Sequence, residues 1–184
     1  NQDSGWCANL GLVLAELAEC GSVLLMQDDF FLSASARNQM IAILDGWAQA
    51  NRIACVRLMP CPGADGKRLL SDVVGEITES ASYRVSCQAA IWDAVYLGAL
   101  CKLVSDVSAG SAADFELVGT ELSRKHKFTF ASWVRETEHG MWPLRYLCSA
   151  ISRGKWTRDA VRLSHSVGVE LDLARRPIEG SERE

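Results

Sequence analysis

Two short apolar segments, each preceded by an amphipathic helical pattern, constrain the fold of this chain most strongly. Residues 22–26 and 53–58 are rich in Val, Leu and Ile, and their apolar residues run nearly without interruption instead of alternating with polar ones. Such strands are buried on both faces, which is typical of sheets covered by helices. The sequence therefore predicts an α/β fold with a mostly parallel or mixed sheet flanked by helices.

The same signals place further elements along the chain. Helices are predicted from Ser33 or Ser35, over 88–104, over 114–125 and from Leu144 onward, and strands are predicted at 73–79, 83–86 and 128–130. We expect one domain over 1–177, because 184 residues suffice for a single hydrophobic core. The charged residues 178–184 are expected to form a flexible tail.

Composition excludes several classes of protein. The formal net charge is -4 and no basic run dominates, which argues against a nucleic-acid partner. No apolar run reaches the roughly 18 residues that a membrane span needs, and the chain does not open on a signal-peptide pattern. The 7 cysteines include no C-x-x-C pair, and an odd number does not close a disulfide framework. These features predict a cytoplasmic protein with reduced cysteines.

Two adjacent carboxylates, Asp28 and Asp29, follow the first apolar strand directly. The carboxyl end of a strand in an α/β sheet is where such folds place ligands. Carboxylate oxygens are natural ligands of Mg²⁺ or Mn²⁺, often together with substrate phosphates. The alternative is that these acids cap the next helix.

Four segments in register resemble one protein family. They are Val23–Leu32 (VLLMQDDFFL), Val56–Gly63 (VRLMPCPG), Tyr83–Trp92 (YRVSCQAAIW) and Arg153–Trp156 (RGKW). Their order and spacing are similar to those of bacterial glycosyltransferase-like proteins, and the resemblance runs from about Gly5 to Pro177. Members of that family look like shortened versions of the glycosyltransferase A fold, in which an acidic motif after a strand holds a divalent cation against the diphosphate of a sugar nucleotide.

The resemblance implies roles for the charged residues. Asp29 would coordinate Mg²⁺ or Mn²⁺, and Asp28 would bind the metal or the ribose. Gln27 departs from the family pattern, because it stands where the motif has its first acid. Arg153 and Lys155 would contact a phosphate, the alternative being a turn between two helices with solvated basic side chains.

The resemblance also implies an acceptor side. Glu116, with Asp114 beside it, would act as the catalytic base, although acids in a first helical turn also stabilise the helix dipole. Gln88 and Trp92 share a face of the predicted helix and would line a sugar pocket, the alternative for Trp92 being a core position. His139 would be a late metal ligand, the alternative being a surface or packing residue.

The function implied is metal-dependent transfer of a sugar from a nucleotide-sugar donor to an acceptor. The acidic strand begins at residue 22, so the nucleotide-binding strands that precede it in the family fold are missing from this sequence. A different donor, a partner that completes the site, or loss of catalysis would each fit. The alternative function is therefore a non-catalytic α/β binding or oligomerisation module, with a homo-oligomer formed through an exposed sheet edge.

Overall fold

The computed structural model describes residues 5–17, 19–134 and 142–180. Within them, six strands form one sheet and two form a hairpin. The sheet strands are β1 (Ser22–Leu25), β2 (Ile53–Arg57), β3 (Arg68–Leu70), β4 (Val74–Ile77), β5 (Ala90–Asp93) and β6 (Thr129–Trp133). Their order across the sheet is β1-β5-β2-β6-β4-β3. The hairpin consists of β7 (Ile151–Ser152) and β8 (Lys155–Trp156).

The sheet is mixed, which confirms the predicted α/β fold with a mostly parallel or mixed sheet flanked by helices, and of these two arrangements the mixed one is present. Only β2 and β6 run parallel among the neighbouring strands of the described residues, and the other four pairs are antiparallel. The sequence leaves these two arrangements open because all five residues of β2 are buried. Burial on both faces produces the same continuous apolar pattern whichever way the neighbouring strands run.

Five helices accompany these strands in the described residues: α1 (Trp6–Glu16), α2 (Asn38–Ala50), α3 (Ala94–Val107), α4 (Ala112–Ser123) and α5 (Arg158–Ser166). The start of α1 requires a glycine, since Gly5 has φ +89 and a Cβ there would lie 2.8 Å from the carbonyl oxygen of Ala109. The second helix begins at Asn38 and not at Ser33 or Ser35 as predicted.

The segment 88–104, predicted as one helix, is instead divided. Its residues 90–93 pair with β1 and β2 as β5, and α3 follows without a connecting loop. The junction is formed by Asp93, whose Oδ1 accepts a hydrogen bond from the backbone N–H of Tyr96 at 2.7 Å. An apolar run of this length fits a strand or a helix equally well, so sequence periodicity misassigns it.

Other segments also differ from the prediction. Residues 83–86 form no strand, because Tyr83 adopts φ 52, which strand geometry does not allow. The chain after Leu144 is not mostly helical, since α5 is the only helix there among the described residues. Before α5, Arg153 (φ 50) and Gly154 (φ 77) form the two-residue turn between β7 and β8.

The described residues fall into two compact units. Unit 1 comprises those of Asn1–Met26 and Arg37–Pro143, and unit 2 comprises those of Gln27–Ala36 and Leu144–Glu184. Unit 1 therefore holds the sheet with α1 to α4, and unit 2 holds the hairpin and α5. The single domain over 1–177 stays a prediction. Most of the predicted tail, residues 181–184, lies outside the described residues.

The core of unit 1 is built around Trp92 on β5. Its side chain is 0% exposed, and its ring centroid lies 5.8 Å from that of Phe115 on α4 and 5.9 Å from that of Phe130 on β6. Tyr96 stacks on the same ring at 6.5 Å. One aromatic cluster thus joins the sheet to the helices that cover it.

Unit 2 is smaller and depends on aromatic contacts between its two chain segments. Phe30 stacks on Tyr146 with ring centroids 4.6 Å apart, and Phe31 contacts Trp156 at 5.8 Å. At the end of the described chain, the N–H of Glu179 donates to the carbonyl oxygen of Trp156 at 2.8 Å. In neither unit do the described residues include a helix whose length and hydropathy would let it cross a bilayer.

Candidate functional site

The acidic pair lies in a turn of unit 2 just beyond β1. Phe30 N–H donates to the carbonyl oxygen of Gln27 at 3.2 Å, which closes the turn around Asp28 and Asp29. Neither acid caps the next helix, because α2 begins only at Asn38 and has no side-chain cap. The capping alternative is therefore wrong, and the turn needs another explanation for its two adjacent charges.

The two carboxylates of this acidic turn differ in their contacts. Asp29 Oδ2 accepts a hydrogen bond from Ser149 Oγ at 3.0 Å, and the backbone carbonyl of Asp29 accepts one from Ala150 N–H at 2.8 Å. Asp28 is exposed, and its carboxylate has no hydrogen bond or ion pair within the described part of the chain. Asp29 is thus held in position, while Asp28 and the second oxygen of Asp29 stay open to a ligand.

The basic residues of the hairpin belong to the same unit. Arg153 sits in the turn and Lys155 begins β8, opposite Ser152. Neither side chain makes a hydrogen bond or ion pair with any described residue. Because Ala150 directly precedes β7 and binds the carbonyl of Asp29, the main chain ties the hairpin to the acidic turn. The hairpin replaces the predicted turn between two helices.

The predicted catalytic acids lie on α4 of unit 1 and both have structural partners. Asp114 forms a capping box with Ser111, in which Asp114 N–H donates to Ser111 Oγ and Ser111 N–H donates to Asp114 Oδ2, each at 3.0 Å. Glu116 Oε1 accepts a hydrogen bond from Cys87 N–H at 2.8 Å and so holds the segment before β5. A catalytic role for either acid stays a prediction.

Gln88 and Trp92 do not share a helical face, which corrects the arrangement predicted for them. Gln88 lies in the irregular segment before β5, and Trp92 lies on β5 itself. Trp92 has no exposed surface, so its ring would reach a sugar only if the aromatic core of unit 1 rearranged. The core position weighed as the alternative for Trp92 agrees with this burial.

A cation site made of protein groups alone is not found, since no group of three His, Cys, Asp or Glu residues suited to a metal occurs in the described ranges. Mg²⁺ usually takes only one or two carboxylates and completes its shell with water and substrate phosphates. Asp28 and Asp29 fit that mode, because both offer carboxylate oxygens without a partner among the described residues. His139, the predicted third ligand, lies outside the described residues.

Two buried arginines of unit 1 are not apparent as structural residues from the sequence. Arg57 is 1% exposed and donates from Nη1 to the carbonyl oxygen of Pro62 at 2.7 Å. Arg84 is 2% exposed and donates from Nη1 to Ile77 O at 2.9 Å and from Nη2 to Phe128 O at 2.6 Å. Both bind backbone carbonyls. The one sequence signal is Arg57 itself, a charge inside a continuous apolar run.

Burial also shifts the acid–base behaviour of the unit 1 core. It raises the pKa of Tyr96 and of Cys55 to about 12. It also lowers the pKa of Arg84 from its ordinary value. Desolvation disfavours the charged form of each group, so Cys55 stays a thiol and Tyr96 a phenol at neutral pH. The cysteines of the described residues are free thiols.

Comparison with known proteins adds no relative to this picture: no family model, curated protein or solved structure matches the chain.

Proposed function

We propose that the protein is glycosyltransferase-like and binds the diphosphate of a sugar nucleotide, with Mg²⁺ or Mn²⁺, at the acidic turn of Asp28 and Asp29. The observation that carries the proposal is the set of contacts that these carboxylates make and lack. They are adjacent, they cap no helix, and Asp28 has no partner among the described residues. Two like charges side by side repel each other, and a divalent cation relieves that repulsion.

Each group in unit 2 would have a distinct task. Asp28 and Asp29 would supply carboxylate oxygens to the cation, which when bound neutralises charge on the leaving diphosphate. Ser149 keeps the Asp29 carboxylate oriented through its hydrogen bond to Oδ2. Arg153 and Lys155 would offer cationic donors to the phosphate oxygens. Because neither has a partner among the described residues, their charge is available for that interaction.

Transfer also requires a group that accepts the proton of the acceptor hydroxyl. Glu116 is the predicted base, and its Oε1 already accepts a hydrogen bond from the N–H of Cys87. Asp114 is committed on one oxygen to the N–H of Ser111. Both acids belong to unit 1, so their part in this reaction rests on the family resemblance alone.

Thermal-shift titration tests the binding step. UDP-, GDP- and CDP-linked sugars are added with and without Mn²⁺, and a ligand that binds only the native state raises the melting temperature. We expect a rise with one nucleotide that depends on Mn²⁺ and disappears in Asp28→Asn. This substitution is cleaner than Asp29→Ala, because it removes charge without breaking the bond to Ser149.

The control is Asp72→Asn, which removes the same charge from an exposed turn of unit 1. It should leave the metal-dependent shift intact. A shift that survives in Asp28→Asn, or that Asp72→Asn also abolishes, would contradict the proposed site. No shift with any nucleotide would favour the alternative function.

That alternative, a non-catalytic binding or oligomerisation module, is favoured by one feature of unit 1. β1 is one of the two edge strands of the described sheet and pairs there only with β5, and Leu24 on it is 47% exposed. An edge strand with free backbone groups recruits further strands. A monomer by light scattering at high protein concentration would discard pairing of two copies through β1.

A further inference from the structure

A cavity of about 350 Å³ opens in unit 1, where β1 and β2 begin and β5 ends. Its wall includes the strand ends Ser22, Ile53 and Asp93. Asp45 on α2 and Arg52, which follows the C-cap residue of that helix, also line it. The volume lies within the range of roughly 300–1,000 Å³ that is usual for small-molecule sites. None of its lining residues belongs to the acidic turn or to the hairpin.

Opposite charges line this cavity without neutralising each other. Arg52 supplies a guanidinium, and Asp45 and Asp93 supply carboxylates. No ion pair joins Arg52 to either acid among the described residues, and its side chain has no other partner there. A cavity wall that holds charges of both signs with no ion pair between them is suited to a ligand that carries both signs.

Both carboxylates are fixed on one oxygen only. Asp45 Oδ1 accepts hydrogen bonds from Ser22 Oγ at 2.6 Å and from Gln49 Nε2 at 3.0 Å. Asp93 Oδ1 accepts the bond from Tyr96 N–H that begins α3. The Oδ2 atom of each acid has no hydrogen bond within the described ranges. The acids are therefore oriented by the protein, while one oxygen of each can still accept a hydrogen bond from a ligand.

The backbone of Arg52 is a second, independent observation. The residue follows the helix end at Asn51 and has φ 53, the left-handed conformation. Glycine is preferred at this position, and a residue with a side chain costs about 1 kcal/mol there. The chain thus carries an arginine at a position where glycine would make the fold more stable. The side chain of this arginine lines the cavity.

The remaining wall is apolar. Ile53, Ile91 and Phe128 line the cavity, and the Phe128 side chain is 44% exposed. Asp93 and Phe128 also line a neighbouring cavity of about 330 Å³, whose other walls include Val95 and Leu103. An apolar group placed against Phe128 would therefore lie next to further nonpolar side chains, although His126 also lines the neighbouring cavity.

We propose that this cavity binds a small zwitterion, namely an α-amino acid with an apolar side chain. Its carboxylate pairs with Arg52, its ammonium group donates to Asp45 and Asp93, and its side chain packs against Phe128. Charge-assisted hydrogen bonds at both ends fix its orientation. The proposal is independent of the sugar-nucleotide site, since it uses no residue of unit 2.

Isothermal titration calorimetry with three related probes tests the charge pattern. L-Phenylalanine carries both charges, phenethylamine lacks the carboxylate, and 3-phenylpropanoate lacks the ammonium group. We expect L-phenylalanine to bind about tenfold or more tightly than either analogue, because each analogue lacks the charge-assisted hydrogen bonds at one of its two charged ends. Equal affinities for all three probes, or no binding of any in the millimolar range, would overturn the proposal.

Variants assign each charge to its residue. In Arg52→Gly, L-phenylalanine should bind no better than phenethylamine, while the melting temperature stays the same or rises because glycine suits φ 53. In the double variant Asp45→Asn/Asp93→Asn, L-phenylalanine should bind no better than 3-phenylpropanoate, and Asp45→Asn alone should remove part of this difference. Ser71→Gly is the matched control, because Ser71 also has a positive φ (48) but does not line the cavity. Loss of binding in Ser71→Gly, or full binding in Arg52→Gly, would refute the assignment.

Discussion

The two units differ in how they use charged side chains. In unit 1, the buried Arg84 and the two acids of α4, Asp114 and Glu116, each hold a backbone donor or acceptor. In unit 2, Asp28 and the hairpin residue Arg153 have no partner among the described residues. A charge that holds the fold together cannot be given to a ligand without loss of stability. Charges without internal partners are therefore the better guide to binding sites, and in unit 1 the cavity at Arg52 brings three charged side chains together with no ion pair between them in the described residues.

The largest expected effect comes from removing a structural charge of unit 1. Arg84→Met should lower the free energy of unfolding by about 3–5 kcal/mol, because the buried carbonyls of Ile77 and Phe128 lose their donors. Arg153→Met, in unit 2, should change it by about 0.5 kcal/mol or less. Urea unfolding followed by tryptophan fluorescence measures both values. Similar losses in the two variants would remove the distinction between the units.

A smaller effect separates a structural from a catalytic carboxylate. Glu116→Ala should cost about 1–2 kcal/mol, since the N–H of Cys87 loses a charged acceptor. Glu116→Gln keeps an acceptor oxygen and should recover most of that stability. If Glu116 is also the base, sugar transfer would be lost in both variants, whereas a purely structural role predicts activity in Glu116→Gln. Melting temperature and product formation, measured on the same samples, distinguish these cases.

A third effect concerns the pH dependence of the unit 1 core. Burial raises the pKa of Tyr96 to about 12 from its ordinary value near 10. The folded state therefore keeps a proton that the unfolded chain releases, so this contribution to stability is complete below about pH 10 and is lost as the pH rises towards 12. Urea unfolding at several alkaline pH values should show a steeper fall for the wild type than for Tyr96→Phe.

Tyr96→Phe should also leave the neutral-pH stability unchanged or raise it by about 1 kcal/mol. The buried hydroxyl of Tyr96 has no hydrogen-bond partner in the described part of the chain, so removing it breaks no bond. Tyr83→Phe is the control, because Tyr83 is 47% exposed. A clear loss of stability in Tyr96→Phe at neutral pH would mean that the hydroxyl is bonded after all.

The sequence predicts those structural features that depend on residues close together in the chain. The strand of residues 22–26 and the turn at Asp28 follow from nearby apolar and acidic residues, and the structure has both. The division of 88–104 into β5 and α3 is not predictable in this way, because pairing with β1 and β2 decides it and those strands are distant in sequence. The relative direction of neighbouring strands in the sheet is not predictable for the same reason.

The candidate site shows the same limit. The adjacent acids at Asp28 are visible in the sequence, but the sequence does not reveal that Asp114 and Glu116 bind Ser111 and Cys87. It also gives no signal for the cavity at Arg52, because that cavity depends on strand ends that only folding assembles. Residue type indicates what chemistry a group can do, whereas the hydrogen bonds around it determine whether the group is available.

The most direct test of the metal-site proposal is a paramagnetic titration followed by NMR. Mn²⁺ is added to the isotopically labelled protein in the presence of UDP, and the broadening of each backbone amide signal is recorded. We predict selective broadening at Asp28, Asp29 and the segment 149–155, with none of it in Asp28→Asn. Broadening centred on other residues, or none at all with any nucleoside diphosphate, would contradict the proposal that the acidic turn holds a cation for a sugar nucleotide.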